Sequence, residues 1–173
     1  MTLKLGKASA QAIEDLLNQG FSIAPTQGDY PLMPKDLTEL GSEQISNLYS
    51  HVIAWTNYVA TQLAAAQIDE RAAEKLLETQ TAKLMLLQPT STSTVDEKGK
   101  VKVTKIPVTS VKANVIGSAE IEKLSEEVDT LYAYRKMIEV MYNNLERDGA
   151  LISREITRRT GDMKTFRKDK FFA

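Results

Sequence analysis

Between Ser42 and Gln88 the chain contains neither proline nor glycine. Over the same stretch apolar residues recur at Ile45, Leu48, Tyr49, Val52, Trp55, Val59, Leu63, Ala66, Ala73, Leu76, Leu77 and Leu84. Steps of three and four residues put them along one side of an α-helix. A helix of about 46 residues would be about 69 Å long at 1.5 Å per residue, more than the diameter of a small globule. Such a rod has to bend, break near Gln67 to Asp69, or belong to an assembly. In a chain of 173 residues one element of this size leaves room for a single ordinary domain built around two or three long helices.

A second long helix is expected from Ser118. The serine is a suitable N-cap, and Glu120 and Glu122 place negative charge in the first turn, where the helix dipole favours it. The helix runs to about Arg147, with a continuation towards Arg159. Ile121, Val128, Arg135, Tyr142, Gly149 and Ile156 stand seven apart, and Leu124, Leu131, Ile138, Leu145, Ile152 and Arg159 form the set offset by three. A heptad register held for about five repeats requires a partner helix. Ile121, Leu124, Val128, Leu131, Ile138 and Leu145 are therefore the expected oligomer interface. Gly149 costs about 1 kcal/mol of helix propensity relative to alanine, so a kink or break is expected there.

The remaining segments are shorter. Ser9 to Asn18 reads as a helix with Ser9 as N-cap, Ile13, Leu16 and Leu17 on one face, and Gly20 as the stop. Pro25, Gly28, Pro31 and Pro34 make Phe21 to Pro34 an extended connector, whose Phe21, Tyr30 and Leu32 are candidates to pack on a neighbour. Residues 89–117 begin with Pro89 and a Thr/Ser run, followed by a turn signal at Lys98-Gly99. A small β-hairpin and a mobile loop fit equally well. Pro107 interrupts the strand-like pieces Val101-Lys102-Val103 and Val108 to Val111, which argues for edge or irregular structure. The expected fold is all-α. Two long antiparallel helices pack in coiled-coil fashion, with a short N-terminal helix, an irregular basic insert and an oligomeric state. The expected division is 1–41 for the N-terminal helix and connector, 42–159 for the helical core with insert 89–117, and 160–173 for a basic tail.

Most catalytic chemistry lacks its residues. With no cysteine in the chain there is no disulfide framework, thiol nucleophile or cysteine-type zinc site. The lone histidine, His51, has no second histidine to share a metal, so a structural or surface role is expected. The phosphate-loop, dinucleotide, zinc-protease and nucleophile-elbow signatures are all missing from the sequence. Asp69/Glu70 and Glu126/Glu127 are adjacent pairs that diverge on a helix. Tyr49, Trp55 and Tyr142 fall on or beside the apolar stripes and are expected to pack between the helices. The chain is thus expected to be non-enzymatic, with no cofactor and no metal. No apolar run approaches the ~18 residues needed to span a bilayer, and Met1 to Leu17 lacks a signal-peptide pattern. The expectation is a cytoplasmic protein with no membrane association.

The formal net charge of −1 conceals a segregation. Residues 1–42 carry three Lys/Arg against five Asp/Glu, 43–88 three against five, and 113–147 four against seven. Residues 89–112 carry five against two and 148–173 seven against four, so the surplus cations sit in the insert and at the C-terminus. Helical spacing puts Arg154 and Arg158 on one stripe while Ile152 and Ile156 form the apolar one. Arginine offers a planar fork of donors to phosphate, and Phe166, Phe171 and Phe172 offer faces for unpaired bases. The candidate nucleic-acid contacts are Arg154, Arg158, Arg159, Lys164, Arg167, Lys168 and Lys170, with Lys100, Lys102 and Lys105 from the insert. A solvated amphipathic tail that docks on a protein accounts for the same pattern.

Tyr49-Ser-His-Val-Ile-Ala-Trp55 on the first long helix, an insert, and then Arg147-Asp-Gly-Ala-Leu-Ile152 before a basic terminus form an ordered set. In this order of parts the chain resembles the UvsY-type recombination mediators of bacteriophages. The resemblance covers roughly Leu40 to Gln88 and Val111 to Arg159. It implies a small all-helical protein that binds single-stranded DNA as a ring-shaped homo-oligomer, displaces single-strand-binding protein and helps a RecA-like recombinase load. A phage-encoded protein would act in the host cytoplasm. The family's Lys-x-Arg contact motif falls at Glu78-Thr79-Gln80 here, so that assignment does not carry over, and positive charge is expected instead in the insert and the C-terminal segment. The alternative, from a different class, is a virion structural or assembly protein, a scaffold or connector, in which the same helices form a coiled coil.

Overall fold

The computed structural model describes residues 4–20, 28–89, 91–95 and 101–171, with the side chains of 94, 95, 102 and 162–171 outside the description. The elements are α1 (Lys7–Asn18), α2 (Ser42–Leu87), β1 (Ser91–Val95), β2 (Val101–Lys105), α3 (Val108–Ile116) and α4 (Ala119–Phe171). The protein is mostly helical, α2 and α4 pack closely, and the strands form one two-stranded sheet. α2 is continuous over 46 residues. Of the three outcomes open to so long a rod, a break near Gln67 to Asp69 is not the one taken, because no proline or glycine there interrupts the backbone ladder. α4 is continuous over 53 residues, through both Gly149 and the segment expected to be a tail. The chain divides into two compact units, Met1–Gln67 with Arg135–Ala173, and Ile68–Tyr134.

In the first unit the backbone N–H of Gly41 donates to Gln44 Oε1 at 2.8 Å, tying down the entry to α2. Ile45, Val52, Trp55, Tyr58 and Val59 of α2 then meet Leu145 and Ile152 of α4 in one buried cluster. Gly149 is buried on the same face of α4, and a methyl at its Cβ position would lie 3.7 Å from Val52 Cγ1. The glycine is where α4 lies against Val52, with no kink required. The order of contacts, Val52 with Gly149 and Leu40 with Arg159, makes the helices antiparallel.

The connector covers one end of this core. Tyr30, Met33, Leu37 and Leu40 pack against it, whereas Leu32, a candidate for packing, is exposed, and Phe21 lies outside the described residues. Tyr30 meets Trp55 edge-on at 5.3 Å, and Tyr58 does so at 5.7 Å. Such T-shaped pairs add to the area they bury. The indole N–H donates to His51 Nε2 at 3.1 Å, which fixes the structural role of the histidine. Gly28, with φ +86°, brings the chain over His51, and a Cβ there would stand 3.6 Å from Nε2. The left-handed backbone is what glycine permits at low cost.

α1 starts at Lys7, two residues before the expected cap. Ser9 instead sits in the first turn, buried, with its Oγ accepting from the Gly6 N–H at 3.1 Å. Buried Gln62 holds the segment before α1 through both polar atoms of its side-chain amide: its Oε1 accepts from Lys4 N at 2.8 Å and its Nε2 donates to Lys4 O at 2.6 Å.

In the second unit the insert is more regular than expected. β1 and β2 pair antiparallel from Ser91↔Lys105 to Val95↔Val101. Of the two readings that fitted the sequence equally, the hairpin is the one formed. The turn residues Lys98 and Gly99 lie outside the described residues. Val108 to Val111, expected as edge strand or irregular chain, is the start of helix α3. Pro107 precedes that helix with φ −60° and ψ 136°, supplying the extended cap for which its ring is suited. Burial of Val115 outweighs the low helix propensity of β-branched residues. Ser118 uses its hydroxyl to donate to Val115 O at 2.7 Å, closing α3 rather than capping α4 by side chain.

Candidate nucleic-acid interface

The heptad register of α4 is the inward one. Every member of both sets from Ile121 to Arg159 is buried or half-buried. Of the six positions expected to join copies, Leu145 (0% exposed) and Ile121 (4%) are already covered by the chain itself. Leu124, Val128, Leu131 and Ile138 are half-buried. The partner helix demanded by the seam is therefore α2 of the same chain around Leu145 and Ile152.

With the seam facing inward, the opposite face of α4 is set by geometry. Arg147, Arg154 and Arg158 lie seven and four residues apart on that outer face, and all are exposed. At 1.5 Å per residue they span about 16 Å of helix. Arg147 is 70% exposed and only 3.9 Å from the Asp148 carboxylate, a loose contact. Among the described residues Arg154 has no ion-pair partner. Arg158 approaches Glu155 bidentately, Nε at 2.9 Å and Nη2 at 2.8 Å. Lys168 continues the same register by sequence, and α4 reaches it as helix. The side chains of Lys164, Arg167, Lys168 and Lys170 are outside the described residues.

Arg159 is placed differently from its neighbours. Its Nη1 donates to Leu40 O at 2.7 Å, its Nη2 to Leu37 O at 2.8 Å and Thr38 O at 3.1 Å, and its Nε to Glu155 at 2.7 Å. The guanidinium fastens the turn before α2 onto α4, with four of its five N–H groups engaged and both faces of its fork turned to the chain itself. No spacing rule could have found this role, because the acceptors are backbone carbonyls about 120 residues away. Glu155 joins Arg158 and Arg159, and their hydrogen bonds pull its carboxyl from 4.5 down to about 2. The carboxylate is thus charged at neutral pH and offsets part of the local positive field. Four arginines against Asp148 and Glu155 leave a surplus of two cations over Arg147–Arg159.

The insert lysines belong to the second unit and the arginine stripe to the first. Lys105 ends β2 and is exposed, Lys102 is on the same strand with its side chain outside the described residues, and Lys100 is outside them altogether. The aromatic residues expected to pack do so. Trp55 is buried, and Tyr49 and Tyr142 lie against the core. The Tyr142 hydroxyl donates to Glu146 at 2.6 Å, a bond that favours its protonated form. Among the described residues no cluster of three metal-ligating side chains occurs, and no helix is long and apolar enough to cross a membrane.

Fold and site together define an all-α protein of two long antiparallel helices with a cationic outer stripe. The chain matches no family model, no curated protein and no solved structure.

Proposed function

We propose that the chain is a non-enzymatic single-stranded-nucleic-acid-binding protein that acts as a recombination mediator, easing a RecA-like recombinase onto strands coated by single-strand-binding protein. The observation that carries this reading is the exposed stripe Arg147, Arg154 and Arg158, turned outward because the opposite face of α4 packs into the core. Arg147 and Arg154 offer planar forks to phosphate, and Arg158 adds its own where a phosphate displaces Glu155. The mediator role itself comes from the resemblance to the UvsY-type family.

Binding through phosphates releases counterions, so affinity should fall steeply with salt. Fluorescence anisotropy with labelled oligo-dT at several salt concentrations measures this directly. Replacing Arg147, Arg154 and Arg158 by alanine should weaken binding at low salt and flatten the log Kd against log salt slope by about 2, at ~0.7 per lost contact on a single strand. The mediator reading then requires that the wild type, and not this variant, speeds recombinase filament formation on coated DNA.

Exposed apolar residues in the second unit, among them Leu86, Leu87, Val101, Val103 and Val108, favour the second reading, a virion assembly protein. Wild-type protein with no salt-dependent affinity for oligo-dT would leave that reading in place of the first.

A further inference from the structure

The second unit contains an open groove of about 590 Å³, walled by Met85, Val103, Val108 and Val111, with Lys105 and Lys112 at its polar margin. Its size is in the range that receives a ligand or a small apolar wedge, about 300–1,000 Å³. The walls are poorly covered: Val103 is exposed and Val108 is 81% exposed. One wall is a hairpin of two strands, an arrangement of marginal stability in water without further cover. The two lysines are exposed and, among the described residues, have no acidic partner. A groove of this kind calls for an apolar wedge with negative flanks.

The same chain presents such a wedge on α1. Leu16 (40% exposed) and Leu17 (51%) project from its last turns, directly after the exposed carboxylates Glu14 and Asp15. No basic residue stands in the last turn of α1, so the negative end of its dipole adds to those carboxylates. Two acidic side chains beside two leucines match two lysines beside an apolar trough. By sequence the parent segments are also complementary, with three Lys/Arg against five Asp/Glu over 1–42 and five against two over 89–112.

We propose that the Leu16-Leu17 end of α1 in one copy docks into the groove between the β-hairpin and α3 of a second copy. Each copy has one wedge and one groove, so the contact either repeats head to tail into a ring or filament or is made twice, wedge to groove in both directions, in a two-fold dimer. The interface involves neither the α4 seam nor the arginine stripe. It stands whether or not the protein binds nucleic acid.

Charge reversal on each side provides the test, read by sedimentation velocity at tens of micromolar protein with no nucleic acid present. Glu14→Lys with Asp15→Lys reverses the wedge, and Lys105→Glu with Lys112→Glu reverses the groove. All four residues are exposed, so helical circular dichroism should be unchanged. Wild type should sediment as a dimer or a larger assembly, and each variant alone as a monomer, with association weakened at least tenfold. An equimolar mixture of the two variants should recover association, because each reversed wedge then meets a reversed groove and each native wedge a native groove. Wild-type protein that is monomeric overturns the proposal, including the case in which that monomer captures an acidic peptide or an anionic amphiphile in the groove. Variants that assemble as wild type does overturn it, as do monomeric variants that fail to recover on mixing.

Discussion

The two units of the chain use the same two helices in different ways. In the first, α2 and α4 enclose Trp55, Tyr58, Leu145 and Ile152, and the aromatic rings are fixed by Tyr30 and His51 from separate turns and segments. In the second, the buried apolar set is small and aliphatic, Val115 and Ile121 with neighbouring half-buried residues, the carboxylate Glu70 is buried as well, and Ile116, Leu86 and Val108 remain exposed. The difference shows that a continuous helix does not imply a uniform core. Stability is expected to concentrate where the rings and the Arg159 clamp are, and association where apolar residues have stayed outside.

The comparison breaks most readily at Trp55. Removing a buried indole and leaving its hydrogen-bond partner His51 unfilled should cost about 3–5 kcal/mol in urea denaturation. Ile116→Ala in the second unit should stay within about 0.5 kcal/mol. Equal losses at the two sites would dissolve the distinction. Next in size is Arg159. Arg159→Ala should cost roughly 2 kcal/mol through its charge-assisted bonds to Leu37, Thr38 and Leu40. Arg159→Lys should recover less than half of that, since one ammonium cannot reproduce a planar fork across three carbonyls. A full rescue by lysine would mean that charge alone matters there.

Gly149→Ala works in the opposite direction. The new methyl would meet Val52 Cγ1 at 3.7 Å, an ordinary contact, while helix propensity improves by about 1 kcal/mol. A raised denaturation midpoint is expected, and a lowered one would show that the helices need the closer approach of a glycine. The smallest effect is in acid. The Glu155 carboxyl is held at about 2 against an ordinary 4.5. Its contribution is therefore complete above about pH 4.5 and declines as pH falls from there towards 2. Glu155→Gln should flatten the stability profile across that window and leave the profile at neutral pH parallel to wild type.

Much of the fold was legible in the sequence because its signals are local and periodic. The Pro/Gly-free stretch from Ser42, the heptad pair on α4 and the inward positions of Trp55, Tyr49 and Tyr142 all follow from helical spacing. Gly149 misled, since its propensity cost is about 1 kcal/mol and burial beside Val52 outweighs it. Val108 to Val111 misled for a related reason: β-branched residues after a proline resemble a broken strand, yet Pro107 starts a helix. In the candidate site, Arg154 and Arg158 could be placed on one stripe by counting. Arg147, seven residues before Arg154, and Arg159, a member of the seam set, were open to the same counting once the helix runs through Gly149, whereas the carbonyls that Arg159 holds were not, because they lie about 120 residues away.

The amino-acid order alone determined that there would be two long helices, a seam along the second, and an uneven distribution of charge, since these depend on neighbours within a few residues. The tertiary structure decided what filled the seam, turning α2 of the same chain against Leu145 and Ile152. It also decided which carbonyls Arg159 would clamp. Those outcomes rest on contacts between residues about 100 or more apart, where no local period carries information and only the packed chain brings donor to acceptor.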